Sequence, residues 1–294
     1  MAQSDLIQAK RAKNDEFYTQ YGDIQKEINA YLEYNPDVFR GKTVLLPCDD
    51  PEWSSFTKFF AQNFENFGLK KLISTSYAVE SKIYKGVYQI TMFEESAPHY
   101  DSKKTRINGK IFTLDHDKTG DGKIDVEDLE WKYLEGDGDF RSEEIKILRD
   151  ESDIIITNPP FSLFREFLAW IVEADKKFLI IGTMNAIKYK NVFPLFQNNK
   201  LWTGSRFNKR INGKNMTFFV PDDYDLSGTE VEINEVGKKL ISVSGTGWYT
   251  NLEHGKRLQP LSLMTMADNI KFSKHKAVRG KDYIEYENYD AIDV

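Results

Sequence analysis

The sequence has a single cysteine, Cys48, among 294 residues. An internal disulfide framework is therefore excluded, and the chain suits a reducing, cytoplasmic compartment. It has no apolar run long enough to span a bilayer. Its N-terminus, MAQSDLIQAKRAKNDEF, has no signal-peptide hydrophobic region. It also lacks internal repeats and long low-complexity linkers. What it does have is an apolar share of 40%, with 20 Phe, 15 Tyr and 5 Trp. That supply can build a sizeable core and excludes disordered and collagen-like classes. The length allows one large domain or two smaller ones.

A positive excess is missing as well. The net charge is -6, which taken alone argues against a nucleic-acid partner. The distribution argues otherwise. Ten acids and three lysines lie between Asp115 and Asp139, leaving the rest of the chain at +1. Basic residues cluster at Arg206, Lys209, Arg210 and Lys214, and again at Lys271, Lys274, Lys276, Arg279 and Lys281. A polyanion responds to local potential, although each cluster also reads as an ordinary solvated surface.

The segment DIQKEINAYLEY places Ile24, Ile28 and Leu32 at helical spacing. TVLLP, from Thr43, predicts a short buried strand. PEWSSFTKFFAQNFENFG predicts a helix with Asp50 at the N-cap, Pro51 in the first turn and Gly68 at the stop. KKLISTSY is the next strand, so the order suggests a βαβ unit and a parallel sheet. Val87–Phe93 and Arg106–Leu114 predict a hairpin beside an Asn-Gly turn signal. DIIIT, LFREFLAWIVEA and KFLIIG resume strand, helix and strand. The unbroken FLIIG suits a strand covered on both faces. Beyond Lys200 the segments are short, β-branched and aromatic, and predict mostly strands and loops.

One strand end stands out. DIIITNPPF runs from Asp153 to Phe161. Ligands of open parallel sheets bind at the carboxyl ends of strands, and Asn158 stands at such an end. Pro159 and Pro160 hold the residues before them extended, so the loop is stiff. An amide oxygen and a nearby backbone carbonyl can accept both hydrogens of an exocyclic amine. Phe161 can offer a flat apolar face to a base. Such a site aims an amine lone pair at a methyl donor by orientation and electrostatics. The bland alternative is a strand end punctuated by prolines.

NPPF resembles the catalytic motif of amino-methyltransferases that use S-adenosylmethionine (SAM). GDGDFRSEEIKILRDESDIIITNPPFSLFREF and KKFLIIGTMNAIKYKNVFP resemble the EcoRI-type adenine-specific DNA methyltransferase family. CDDPEWSSF is similar to that family's first cofactor motif, and WYTNLEH to its C-terminal part. The likeness covers most of the chain from about Asn14. It implies an α/β, Rossmann-like methyltransferase fold with a mostly parallel sheet. It further implies a SAM-binding catalytic domain over 1–220, with an insertion at about 80–135, and a mostly β target-recognition region over 221–294.

The resemblance implies site residues too. Asn158, Pro159, Pro160 and Phe161 would be catalytic. Tyr18 and Thr19, in NDEFYTQ, would lie near the methionine end of the cofactor. Asp49, Asp50 and Pro51 would flank it after the first strand, with Asp49 the ligand and Asp50 the cap. No glycine stands at that turn, unlike common SAM enzymes. After the second strand the expected ribose-binding acid is missing, and Glu80 is the candidate. Asp139 would accept from the cofactor adenine and Phe140 would stack on it. The target adenine of double-stranded DNA would flip out of the stack to reach Asn158. Arg206, Lys209, Arg210 and Lys214 would then meet phosphates.

DKTGDGKIDVED fits a twelve-residue calcium loop. Its ligands would be Asp117, Thr119, Asp121, the Lys123 carbonyl, Asp125 and Asp128. Position 12 carries Asp in place of Glu, so the alternative is a solvated acidic turn. The leading reading is a DNA adenine methyltransferase. The alternatives are methylation of RNA or protein glutamine, and a non-catalytic DNA-binding relative. The chain stops at NYDAIDV, where the resemblance leads one to expect more, so a truncated or reduced recognition region is expected.

Overall fold

The computed structural model describes residues 18–49, 54–78, 100–206, 216–220, 231–234, 237–243, 245–260 and 265–272. Among them, two compact units divide at residue 257. The first holds an eight-stranded sheet and a four-stranded sheet. The second contributes the helix Met266–Phe272.

Four strands make the parallel centre: β2 (Thr43–Leu46), β3 (Lys71–Ser76), β6 (Ile154–Thr157) and β7 (Lys177–Thr183). Their order is β3-β2-β6-β7. On one side the sheet continues antiparallel through β4 (Lys110–Leu114) and β5 (Glu130–Tyr133). On the other it continues antiparallel through β12 (Thr246–Thr250) to β8 (Trp202–Thr203). Alternate side chains of the central strands feed two cores, as the two-residue period requires. Val44, Leu46, Ile154, Ile156, Leu179 and Ile181 face one cluster. Leu45, Ile155, Phe178 and Ile180 face the other.

Helices cover both faces. On the first lie α1 (Tyr21–Tyr34), which contributes Ile24, Ile28 and Tyr31, and α2 (Ser55–Gln62), which contributes Phe56, Phe59 and Phe60. The short α3 (Phe64–Phe67) ends at Gly68, whose φ of 61° suits glycine at a helix stop. The second face is covered by α5 (Glu143–Glu151) and α6 (Phe164–Glu173), while α4 (Ser102–Ile107) precedes β4. Helix α6 buries Phe164, Phe167, Leu168, Trp170 and Ile171, each stabilising by roughly 1.5–3 kcal/mol.

The small sheet runs β1-β9-β11-β10, all antiparallel. Its strands are β1 (Tyr18–Thr19), β9 (Thr217–Phe219), β10 (Val231–Ile233) and β11 (Lys239–Ser242).

Three expectations change. Arg106 and Ile107 end helix α4, not a strand, because Asp101 caps that helix by accepting from the Lys103 and Lys104 amides. Strand β4 pairs instead with β3 and β5, and the acidic loop is the β4–β5 connection; Val87–Phe93 lie outside the described residues. Helix α2 starts at Ser55 with Ser54, in place of Asp50, as its N-cap. The main sheet also runs across the expected boundary at 220, because β12 pairs with β7. Polar residues of the WYTNLEH segment fasten that return. Tyr249 donates to the Thr183 carbonyl at 2.7 Å, Thr250 to the Phe178 carbonyl at 2.7 Å, and Asn251 accepts from the Phe178 amide at 2.8 Å.

Candidate active site

Asn158 follows β6 directly, at the carboxyl end of the parallel centre. The residue before it, Thr157, is fully buried, and its hydroxyl donates to the Pro47 carbonyl at 2.6 Å. The ends of β6 and β2 are thus stitched together beside Asn158. Pro160 is extended, at φ -52° and ψ 125°, and its carbonyl accepts from the Leu163 amide at 2.9 Å. Pro159 and Phe161 are buried and Asn158 is half-buried. The Phe161 ring meets Phe218 of β9 edge-on, 6.4 Å between centroids.

The first-motif turn shows how the chain manages without glycine. Cys48 itself takes the left-handed conformation, φ 65°, which side chains adopt at a cost. Asp49 is buried and accepts from the Ser54 hydroxyl at 2.8 Å. The Asp49 carbonyl accepts from Ser74 at 2.6 Å, and Ser74 meets Thr57 at 2.9 Å. The ends of β2 and β3 and the start of α2 are therefore one polar network. Asp50, Pro51 and Glu80 lie outside the described residues.

The GDGDF loop lies along the end of β3. Gly138 has φ 86°, and a Cβ there would sit 2.3 Å from the Ser76 carbonyl oxygen. The Asp137 carbonyl accepts from the Ala78 amide at 2.8 Å. Asp139 is half-buried and gripped by Arg141, with contacts of 2.6 and 2.9 Å, besides accepting from the Arg141 amide at 2.8 Å. Burial would raise the Asp139 pKa, but the Arg141 hydrogen bonds and charge outweigh it and hold the carboxyl low. Arg141 also reaches Glu166 of α6 at 3.3 Å, joining this loop to the helix behind Phe161. Tyr77 sits against Cys48 and Asp139, and burial followed by those neighbours pushes its phenol pKa up. Phe140 is 1% exposed and packs edge-on against Phe167 and Trp170. Its ring is a core ring here, with no open face for the expected stacking.

Strand β1 brings the N-terminal motif to the same end of the molecule. Thr19 pairs with Phe218, the residue against Phe161, and Tyr18 pairs with Phe219. Thr19 is 3% exposed and its hydroxyl makes no hydrogen bond in the structure. A buried, unanswered hydroxyl is uncommon, and a ligand group is its natural partner.

Compared with known proteins, residues 5–294 match the family model described as adenine-specific methyltransferase EcoRI. The chain belongs to the EcoRI-type adenine-specific methyltransferase family. Type II methyltransferase M.EcoRI of Escherichia coli is 40% identical over 289 residues, covering 98% of this chain and 78% of that protein. Type II methyltransferase M.MpnI of Mycoplasma pneumoniae is 33% identical over 287 residues, covering 97% of this chain and 73% of that protein. Type II methyltransferase M.MgeORF184P of Mycoplasma genitalium gives the same identity and coverage. No solved structure matches.

This EcoRI-type methyltransferase does not gather the expected calcium ligands. Among the described residues no group of three or more His, Cys, Asp or Glu could hold a metal ion. Asp117 accepts from the Gly120 and Gly122 amides, and Asp128 from those of Lys118, Thr119 and Asp125. Asp121 accepts from the Lys123 amide and Asp125 from that of Glu127. The oxygens of Asp117, Asp121, Asp125 and Asp128 thus answer the loop's own amides, and Thr119 turns its hydroxyl to Asp117. These donors hold the Asp128 carboxyl at about 2.

Arg206 is half-buried and its amide donates to Glu27 of α1 at 2.9 Å. Lys209, Arg210 and Lys214 lie outside the described residues, as do Lys274, Lys276, Arg279 and Lys281. Sequence reasoning missed Glu27, Arg141 and Phe218. Arg141 follows GDGDF directly, and that adjacency was the one available signal; Glu27 and Phe218 carry no motif. No helix among the described residues is long and apolar enough to cross a membrane.

Proposed function

We propose that this chain transfers a methyl group to N6 of an adenine flipped out of double-stranded DNA, as the modification enzyme of a restriction-modification system. The observation that carries the reading is the Asn158-Pro159-Pro160-Phe161 loop at the end of a central parallel strand, held to the next strand end by Thr157 and Pro47.

In this reading Asn158 and the Pro159 carbonyl accept the two N6 hydrogens, and the nitrogen lone pair points away from them. Phe161 receives the flipped base, with Phe218 supporting its ring from the edge. The prolines keep both acceptors still, so little reorganisation is needed during transfer. SAM, when bound, supplies the methyl group. The residues present fit it. The Thr19 hydroxyl lacks a partner, and Asp49 is a buried acid at the strand end; Tyr18, Asp50 and Pro51 complete this part of the assignment. A carboxylate offers about four acceptor positions. Arg141 takes three of them on Asp139, by one amide and two guanidinium contacts. One further donor, such as the cofactor's adenine amine, can be accommodated. The acidic loop, in turn, is read as a self-capped strand connection.

The test is transfer of labelled methyl from SAM to adenine in unmethylated genomic DNA, with RNA and glutamine peptides in parallel. Duplex DNA should be labelled, and Asn158→Ala should lower kcat by about 10²–10³-fold. SAM binding without labelling of any DNA would overturn the reading.

A further inference from the structure

The segments that follow β6 and β7 meet at the carboxyl edge of the main sheet. The two strands are parallel neighbours, so both deliver their next residues to that edge. After β6 come the Asn158 loop and the start of α6. After β7 comes a short 3₁₀ turn, Met184–Lys188, which Thr183 caps by accepting from the Asn185 amide at 3.3 Å. Gly182 lets the two segments approach. A Cβ there would sit 2.2 Å from the Phe164 ring, so any side chain would push the start of α6 away. With glycine in place, Arg165 of α6 lays its guanidinium over the Tyr189 ring, 5.3 Å from the centroid.

This junction is positive. Arg165, Lys188 and Lys190 are all exposed. Among the described residues none of the three forms an ion pair, and the acid next to Arg165, Glu166, is taken by Arg141 at 3.3 Å. From Lys176 to Arg206 the sequence contains no Asp or Glu, although acids are 46 of its 294 residues. An ordinary solvated surface intersperses both signs; this one carries a single sign in an acidic chain. Stacking on Tyr189 holds the planar Arg165 fork in place, so little freedom is lost when its donors meet an anion.

We propose that Arg165, Lys188 and Lys190 form a phosphate-binding edge that takes the DNA strand on either side of the flipped adenine. This rests on the reading of the chain as a DNA methyltransferase. A flipped base stays joined to its flanking phosphates, and those charges must lie at the mouth of the Asn158 loop. Arg165 is on the helix that leaves this loop, and Tyr189, Lys188 and Lys190 are on the segment that packs against it. The edge therefore holds the backbone beside the reacting centre without reading sequence.

The test uses the full chain, unmethylated genomic DNA and labelled SAM over a series of salt concentrations. Arg165→Gln, Lys188→Gln and Lys190→Gln are made singly and together. Lys70→Gln, an exposed lysine just before β3 at the opposite edge of the sheet, is the control for net charge. Each single variant should raise the DNA KM about 5- to 10-fold, with the melting temperature and the Kd for SAM at parental values. The slope of log KM against log salt should fall by about three in the triple variant, one for each lost phosphate contact. Lys70→Gln should leave KM and slope unchanged. Parental KM and slope in the triple variant overturn the proposal and leave the methyltransferase reading intact. Equal losses in Lys70→Gln also overturn it, because overall charge would then be the cause. So does a matching loss of SAM affinity, which would make the cluster merely structural. A parent protein that labels no DNA overturns both readings.

Discussion

The Thr157 hydroxyl lies 2.6 Å from the Pro47 carbonyl oxygen, although the two residues are 110 positions apart in sequence. This bond joins the last residue of β6 to the residue just after β2, and Asn158 comes next. Thr157→Val keeps the β-branched shape and removes the donor. The buried Pro47 carbonyl then lacks this partner, which should cost about 1–3 kcal/mol in a denaturant melt. Loosening the loop should also lower kcat by about 10- to 100-fold while the Kd for SAM holds. A variant with lowered stability and parental kcat would separate the stitch from the chemistry.

Thr19 supplies a test of the cofactor side. Its hydroxyl is buried and has no hydrogen-bond partner in the structure. Thr19→Val should therefore leave the melting temperature unchanged or raise it, since no bond is broken. SAM affinity, measured by calorimetry, should fall by about 5- to 10-fold, as expected for one lost hydrogen bond. A stable variant with parental affinity would remove Thr19 from the cofactor site.

Gly138 combines a left-handed φ of 86° with a 2.3 Å clash for any Cβ against Ser76. Gly138→Ala should be destabilised by more than the roughly 1–2 kcal/mol of the left-handed conformation alone. The displaced GDGDF loop would carry Asp139 away from the end of β3. Thermal melts and SAM titration should both worsen, whereas Gly120→Ala, at φ 77° but with open space around its Cβ, should cost only the backbone term.

Asp128 gives a pH dependence with a defined sign. Backbone amides hold its folded pKa at about 2, below its ordinary value of 3.8. Its contribution is therefore present above pH 3.8 and lost as the pH falls through 2. Asp128→Asn should be less stable than the parent near pH 7, with the gap closing between pH 4 and 2 in matched denaturant melts. A gap of constant size across that range would mean that the charge is not what these amides recognise.

Much of this was legible in local sequence. Apolar runs such as Val44–Leu46 and Ile154–Ile156 announce strands covered on both faces, and the structure sets their side chains alternately into two cores. Gly68 stops its helix because only a left-handed residue closes that turn cheaply. The N-cap was misplaced because Asp50 and Ser54 are both good caps, and in the fold it is Ser54 whose hydroxyl oxygen accepts from the Phe56 amide. The Asn-Gly of RINGK signals a hairpin locally, yet it joins a helix to a strand whose partners lie elsewhere in the chain.

By itself, then, the sequence determined the chemical type of this protein. Residue periodicity and proline stiffness are local properties, and they set the central strands and the Asn158 loop. Tertiary structure alone decided which distant ends meet. It placed Thr19 beside Phe218 and Phe218 against Phe161, brought Arg141 to Glu166, enclosed Phe140 in the core, and buried Glu27 against the Arg206 amide. Those outcomes depend on long-range pairing and desolvation, energies that arise only once remote segments are packed together.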